Sequence, residues 1–257
     1  MPRVVLGVAY NGANFEGWQT QPHGQTVQDT LMQSICQING GSVHLVCAGR
    51  TDAGVHARQQ VVHFDTEVDR PFSAWTKGVN RFLPQSVVVT GVKFLDDSFH
   101  ARYAAQSRTY RYYFYTASCR DPLKSTMTWI HYALNLDKMR LASQYFLGTH
   151  DFSAFRSSQC QAKTPIRTLF SIQLHQQSDH AYFEIKGNAF LHHMVRNLVA
   201  VLFQIGMSDK PASWAQAVLE SRKRECASRT YPPEGLTLWS VTYPECFEIE
   251  SLFLNTL

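Results

Sequence analysis

Two hydrophobic periodicities alternate along residues 3–95, and their order restricts the fold more than any other feature of the chain. Alternating apolar positions mark Arg3 to Tyr10 as a strand. Thr26 then stands as an N-cap before Val27, Leu31, Ile35 and Ile38, which repeat at helical spacing, and Asn39-Gly40-Gly41 ends the helix. Val43 to Ala48 and Gln59 to Asp65 read as strands separated by a polar loop. Pro71 opens a helix reaching about Phe82, Pro84 stops it, and Val87 to Phe94 is a β-branched strand. The order β-α-β-β-α-β is the split βαβ arrangement, which returns strands to one antiparallel-rich sheet.

The second half repeats the theme at greater length. Arg108 to Thr116 is strongly strand-like, and Trp129 to Ala133 is a shorter candidate. Asp137, as an N-cap, opens a helix to Leu147. Thr168 to His175 and Ala181 to Lys186 form a strand pair, Phe190 to Ile205 and Ser213 to Ser221 are helices, and Leu236 to Tyr243 is the last strand. The fold class is therefore α+β. Two related β-α-β-β-α-β-like lobes are expected, at residues 1–102 and 103–257, with mainly antiparallel sheets and a cleft between them.

With 44% hydrophobic residues the chain can bury a core, and it is not disordered. Lys and Arg number 24 against 20 Asp and Glu, a net +4 that excludes a strongly acidic protein without establishing a nucleic-acid binder. Position is more telling. Past Tyr243 come Glu245, Glu248 and Glu250 with no base, so the preceding 243 residues carry +7. Ser98 to Arg120 and Phe152 to Ser178 contain no acid at all. Sixteen of the bases are Arg, whose planar fork suits phosphate and stacks on nucleobases. The first residues resemble no signal peptide, and no apolar run nears the ~20 residues of a spanning helix. Six scattered cysteines without a C-x-x-C pair suggest reduced thiols and a cytoplasmic location. His192-His193 lacks the context of a metal motif, so no metal is expected.

The segment most suggestive of chemistry is Gly49-Arg50-Thr51-Asp52-Ala53-Gly54-Val55-His56-Ala57, between two strands. By spacing alone it reads as a tight turn with a local Arg–Asp pair, or as a carboxylate presented by a rigid scaffold. As a motif it resembles the active-site loop of the tRNA pseudouridine synthase A family, unbroken over its length. Phe99-His100-Ala101-Arg102-Tyr103, Arg108-Thr109-Tyr110-Arg111-Tyr112, His150 to Arg156, Lys163 to Arg167, Asn188 to Asn197 and Gly235 to Leu238 resemble further family segments, in order. The opening Tyr10-Asn11-Gly12 and Gly17-Trp18-Gln19 is similar as well. Ser228 to Pro233 departs from the family's Ala-rich run, and the acidic tail has no counterpart.

The resemblance implies a pseudouridine synthase fold and isomerisation of uridine to pseudouridine at positions 38, 39 and 40 of the tRNA anticodon stem-loop. No cofactor is needed, because no atoms are added or lost. Asp52 matches the nucleophile, acting on C1′ or on uracil C6. Arg196 matches its charge partner, which keeps the carboxylate ionised. Arg50 matches the residue that enters the RNA when the target nucleotide leaves the stack. Tyr110 matches the ring on the target base, its hydroxyl a candidate for the C5 proton, and Leu236 matches the apolar wall of the uracil pocket. Arg58, Arg70, Arg102, Arg156 and Lys163 are candidates for phosphate contact. Phe99, His100, Ala101 and Tyr103 complete one RNA-binding block, and Gln159, Cys160, Gln161 and Ala162 another. The family's homodimer, with RNA crossing both subunits, is the expected assembly. Competing readings are a non-catalytic RNA-binding protein, which leaves the carboxylate amid Arg50 and Arg196 unexplained, and a hydrolase with paired carboxylates, for which Asp52 has no partner motif.

Overall fold

The computed structural model describes residues 3–253, and these divide into two compact units. Among the described residues the first unit comprises 3–107 and 237–253, the second 108–236. This differs from a division into 1–102 and 103–257. The last strand, placed by sequence in the second lobe, is hydrogen-bonded into the first.

In the first unit the strands β1 (Arg3–Tyr10), β2 (Val46–Cys47), β3 (His56–Asp65), β4 (Val87–Leu95) and β10 (Leu236–Thr242) form a sheet in the order β4-β1-β3-β10, with β2 also on β3. All its pairings are antiparallel except β10 on β3, where Thr237 lies opposite His56 and Leu238 opposite Ala57. Helix α1 (Val27–Asn39) starts where expected: the Thr26 side chain accepts from Asp29 N, and Gly40 closes the helix at φ 76°. Val27, Leu31 and Ile35 are buried, as the spacing predicts. The expected helix after Pro71 spans residues 72–80 but widens into a π-turn over Ala74–Gly78 around the buried Trp75. The expected strand at Val43 shrinks to β2. Beyond β10, Ile249, Leu252 and Phe253 bury themselves over β1 and β4. Gly7 and Gly91 admit that segment, since an added Cβ at Gly91 would sit 2.6 Å from the Leu252 carbonyl oxygen.

The second unit has a sheet in the order β5-β9-β8-β7, all antiparallel, with β6 parallel to β5. Its strands are β5 (Ser107–Thr116), β6 (Thr128–Ile130), β7 (Gly148–Asp151), β8 (Ile166–Gln176) and β9 (Ala181–Gly187). Helices α2 (Leu136–Ser143), α3 (Met194–Gly206) and α4 (Trp214–Ser221) complete it. Helix α3 is apolar nearly all round and is buried accordingly. Phe203 on α3 meets Phe114 on β5 edge-to-face at 4.8 Å, and its ring lies parallel to Tyr231 at 4.6 Å. Asn135 rather than Asp137 caps α2, its side chain accepting from Lys138 N, which leaves Asp137 in the first turn. Helix α3 begins four residues later than Phe190 because His193 takes a left-handed conformation, φ 64°. Among the described residues no helix is long and apolar enough to cross a membrane.

Candidate active site

Asp52 lies in the loop joining β2 to β3, and that loop is fastened from both sides. At its start the fully buried Gln60 uses its side-chain amide as a clamp: Nε2 donates to Gly49 O at 2.6 Å, and Oε1 accepts from Gly49 N at 3.4 Å. At its centre Trp18 N donates to Thr51 O at 3.0 Å, while the Thr51 hydroxyl shares a buried 2.8 Å hydrogen bond with Tyr10. At its end Gly54, φ 77°, donates to Phe15 O, and Val55 N donates to Asp52 O. His56 Nδ1 accepts from Gly12 N at 2.9 Å. Arg50 is exposed and Asp52 half-buried, on a loop held by these backbone hydrogen bonds.

The bracing segment requires two glycines. A Cβ on Gly12 would stand 2.0 Å from Val55 O, and one on Gly17 would stand 2.9 Å from Thr51 O at φ +86°. Chain and loop thus touch backbone to backbone. Trp18, 1% exposed, fills the space behind them, with its ring 6.1 Å from that of Tyr10.

In the second unit Arg196 occupies the first turn of α3, half-buried, and donates from Nε to the Tyr231 carbonyl at 2.7 Å. That carbonyl is fixed by its neighbours. Thr230 Oγ1 donates to Oδ1 of the fully buried Asn197 at 2.7 Å, and Arg224 Nη2 donates to the same oxygen at 3.1 Å. Tyr231 also shares a 2.5 Å hydroxyl bond with Tyr132. The stretch Ser228 to Pro233, which departs from the family pattern, is therefore an ordered support for Arg196. Tyr110, on β5 opposite Ile185, is 8% exposed and meets Phe190 edge-to-face at 5.1 Å. Leu236, at the start of β10, is buried.

A sequence model described as tRNA pseudouridine synthase matches residues 7–104 and 142–244, spanning the brace, the Asp52 loop and α3. The chain belongs to the tRNA pseudouridine synthase family. It is 50% identical over 258 residues to the tRNA pseudouridine synthase A of Burkholderia mallei, covering all of this chain and 95% of that one. The corresponding protein of Paraburkholderia xenovorans is 49% identical over 250 residues, covering 97% and 93%. Among solved structures, a chain of an H/ACA RNP bound to a substrate RNA containing 2′-deoxyuridine resembles it at 10% identity and TM-score 0.39. That match covers 87% of this chain and 59% of the other.

The synthase's other candidate residues fall into two groups. Phe99 and Ala101 are wholly buried, so their side chains anchor the block while His100, Arg102 and Tyr103 face outward. Ala101 N donates to His63 Nδ1 at 3.1 Å, Tyr243 donates its hydroxyl to Ala101 O at 2.5 Å, and Arg3 holds Phe99 O. The Tyr103 ring, 76% exposed, stacks on His100 at 4.2 Å, with the Arg102 guanidinium 5.7 Å from it. Arg58 lies 4.2 Å over the Trp239 ring, and Arg70 reaches Ile38 O with a long 3.4 Å contact. Arg156 turns into its own loop, donating to Cys160 O at 2.6 Å and Ala162 O at 2.9 Å. Gln159, Gln161 and Lys163 on that loop are exposed. Sequence reasoning did not assign the brace residues Tyr10, Gly12, Gly17 and Trp18 a task, nor Asn197, Thr230 and Tyr231.

His63 couples the outward-facing block to pH. Burial, and then the nearby Arg3 charge, pull its pKa from 6.5 down to about 4, so the ring is neutral in the folded protein and accepts from Ala101 N. A base whose folded pKa is lowered contributes stability above its unfolded pKa and loses it on acidification. The unfolding free energy should therefore decline between pH 6.5 and about 4. In His63→Asn, whose amide oxygen can still accept, that decline should be shallower. Equal slopes in chemical denaturation of the two proteins would show that His63 does not carry the effect.

Proposed function

We propose that the chain isomerises uridine to pseudouridine in tRNA, at positions 38, 39 and 40 of the anticodon stem-loop. The observation that carries this reading is the position of Asp52, in a braced loop of a chain that matches the synthase family from residue 7 to residue 244. Extruding the target nucleotide costs a few kcal/mol, and the exposed Arg50 fills the vacated space in the stack. Tyr110 offers a ring face worth about 1–3 kcal/mol to a base of any identity, and Leu236 closes the apolar side. The Asp52 carboxylate then bonds to the uridine, at C1′ or at uracil C6, and the N1–C1′ bond breaks. The uracil turns, C5 bonds to C1′, the bond to Asp52 breaks and returns the free carboxylate, the C5 proton leaves and N1 takes one up, so atoms and electrons balance without a cofactor. Arg196 supplies the positive charge that keeps Asp52 ionised and nucleophilic.

The RNA is held through its backbone and shape, which accommodates neighbouring target positions better than base-edge reading. We place the protein in the cytoplasm as a homodimer; its six unlinked thiols fit a reducing compartment. The test is incubation with unmodified tRNA carrying 5-tritiated uridine. One tritium should be released per pseudouridine, and base-specific chemical marking should map the product to positions 38–40. Release of no tritium, or product only elsewhere, would overturn the assignment.

A further inference from the structure

The family match ends at residue 244, yet the chain beyond it is folded closely onto the first unit. A short 3₁₀ turn, Glu245–Phe247, is followed by a second over Ile249–Phe253. Between them Glu248 takes a left-handed conformation, φ 46°, and its carboxylate accepts from Lys93 on β4 at 2.7 Å. The second turn is the anchor, since Ile249, Leu252 and Phe253 are the buried members. That anchor covers the sheet without using Phe247. The Phe247 ring instead meets Phe99 edge-to-face at 5.1 Å.

Phe99 is the root of the outward-facing block. Its buried ring is enclosed by rings from three stretches of chain: His63 on β3 at 6.2 Å, Tyr243 just past β10 at 5.2 Å, and Phe247. Two residues on, the Ala101 carbonyl accepts the buried Tyr243 hydroxyl at 2.5 Å. His100 Nδ1 then closes the turn, accepting from Arg102 N at 3.2 Å and from Tyr103 N at 3.1 Å. The exposed Arg102 and Tyr103 thus take their places from a turn whose buried roots are gripped by Tyr243 and Phe247. Opening either grip lets the turn sample other arrangements. A ligand must then order it on binding, which lowers affinity and leaves the chemical step alone.

We propose that the acidic segment from Tyr243 to Phe253 positions this block for tRNA, with Tyr243 and Phe247 as its two positioning residues. The inference rests on the tRNA reading above. Its test compares Phe247→Ala, Tyr243→Phe and Phe247→Tyr with Ile35→Val, which thins the core of the same unit at α1. Equilibrium binding of unmodified tRNA and the single-turnover rate at saturating protein are both measured. Phe247→Ala and Tyr243→Phe should each weaken binding roughly five- to tenfold, with the saturated rate within about twofold of the wild type. Phe247→Tyr, which keeps the ring, and Ile35→Val should bind within about twofold. If Phe247→Ala and Tyr243→Phe bind as the wild type does while pseudouridine is still formed, the segment only covers the sheet; the proposal falls and the function stands. If Ile35→Val loses as much affinity as they do, lost stability explains the effect and the proposal is overturned. If the two variants lose affinity but the wild type makes no pseudouridine, the function fails and the positioning role stands.

Discussion

Asp52→Asn should form pseudouridine at least about 10⁴-fold more slowly than the wild type in a single turnover, while binding tRNA within a few-fold of it. Asparagine reproduces the volume of the side chain but carries no negative charge and cannot attack as a carboxylate. The backbone around it has no reason to move. Trp18, Phe15 and Gln60 hold the neighbouring peptide groups without using the Asp52 carboxylate. The effect should consequently appear in the chemical step and not in unfolding. Intact mass analysis guards against deamidation back to Asp. A variant that retains a tenth or more of the wild-type rate would mean that another group is the nucleophile.

Gly12→Ala should unfold at markedly lower urea, a loss of about 3 kcal/mol or more, with activity falling alongside. The new methyl group would lie 2.0 Å from Val55 O and 2.6 Å from its carbonyl carbon, and backbone atoms cannot rotate aside as a side chain can. Relief requires separating the brace from the loop, which breaks the Gly12 N to His56 Nδ1 bond close to Asp52. Gly24→Ala is the control. It meets nothing within 4 Å but must adopt φ +68°, so about 1 kcal/mol is expected from backbone strain alone. If both substitutions cost the same, the close approach at Gly12 does not matter.

Local pattern made the elements legible and left their partners hidden. Thr26, Gly40, and the apolar positions of α1 follow from capping and helical period, and these are nearest-neighbour effects. The late start of α3 was not legible, because a histidine at φ 64° carries no compositional sign. Nor was the capture of β10 by β3, since a strand's sequence specifies that it pairs but not with which neighbour. The site divides in the same way. The Asp52 loop stood out as a string of residues, whereas the reason for Gly12 lies in a contact with Val55, far along the chain. Phe99 and Ala101 show the reverse: a motif read as one RNA-facing block alternates between anchor and surface once it is folded.

The return of β10 to the first unit has a consequence for biosynthesis. His56 and Ala57, which open β3 just after Asp52, acquire their parallel neighbours Thr237 and Leu238 only when that late stretch leaves the ribosome. At about 5–20 residues per second, the nascent sheet waits many seconds with the β3 edge uncovered. During that interval the whole second unit, Arg108 to Leu236, is synthesised and free to fold. Translation order thus makes the scaffold of the Asp52 loop the last part of the enzyme to be completed, so a ribosome stalled before Thr237 carries a finished insert within an unfinished host.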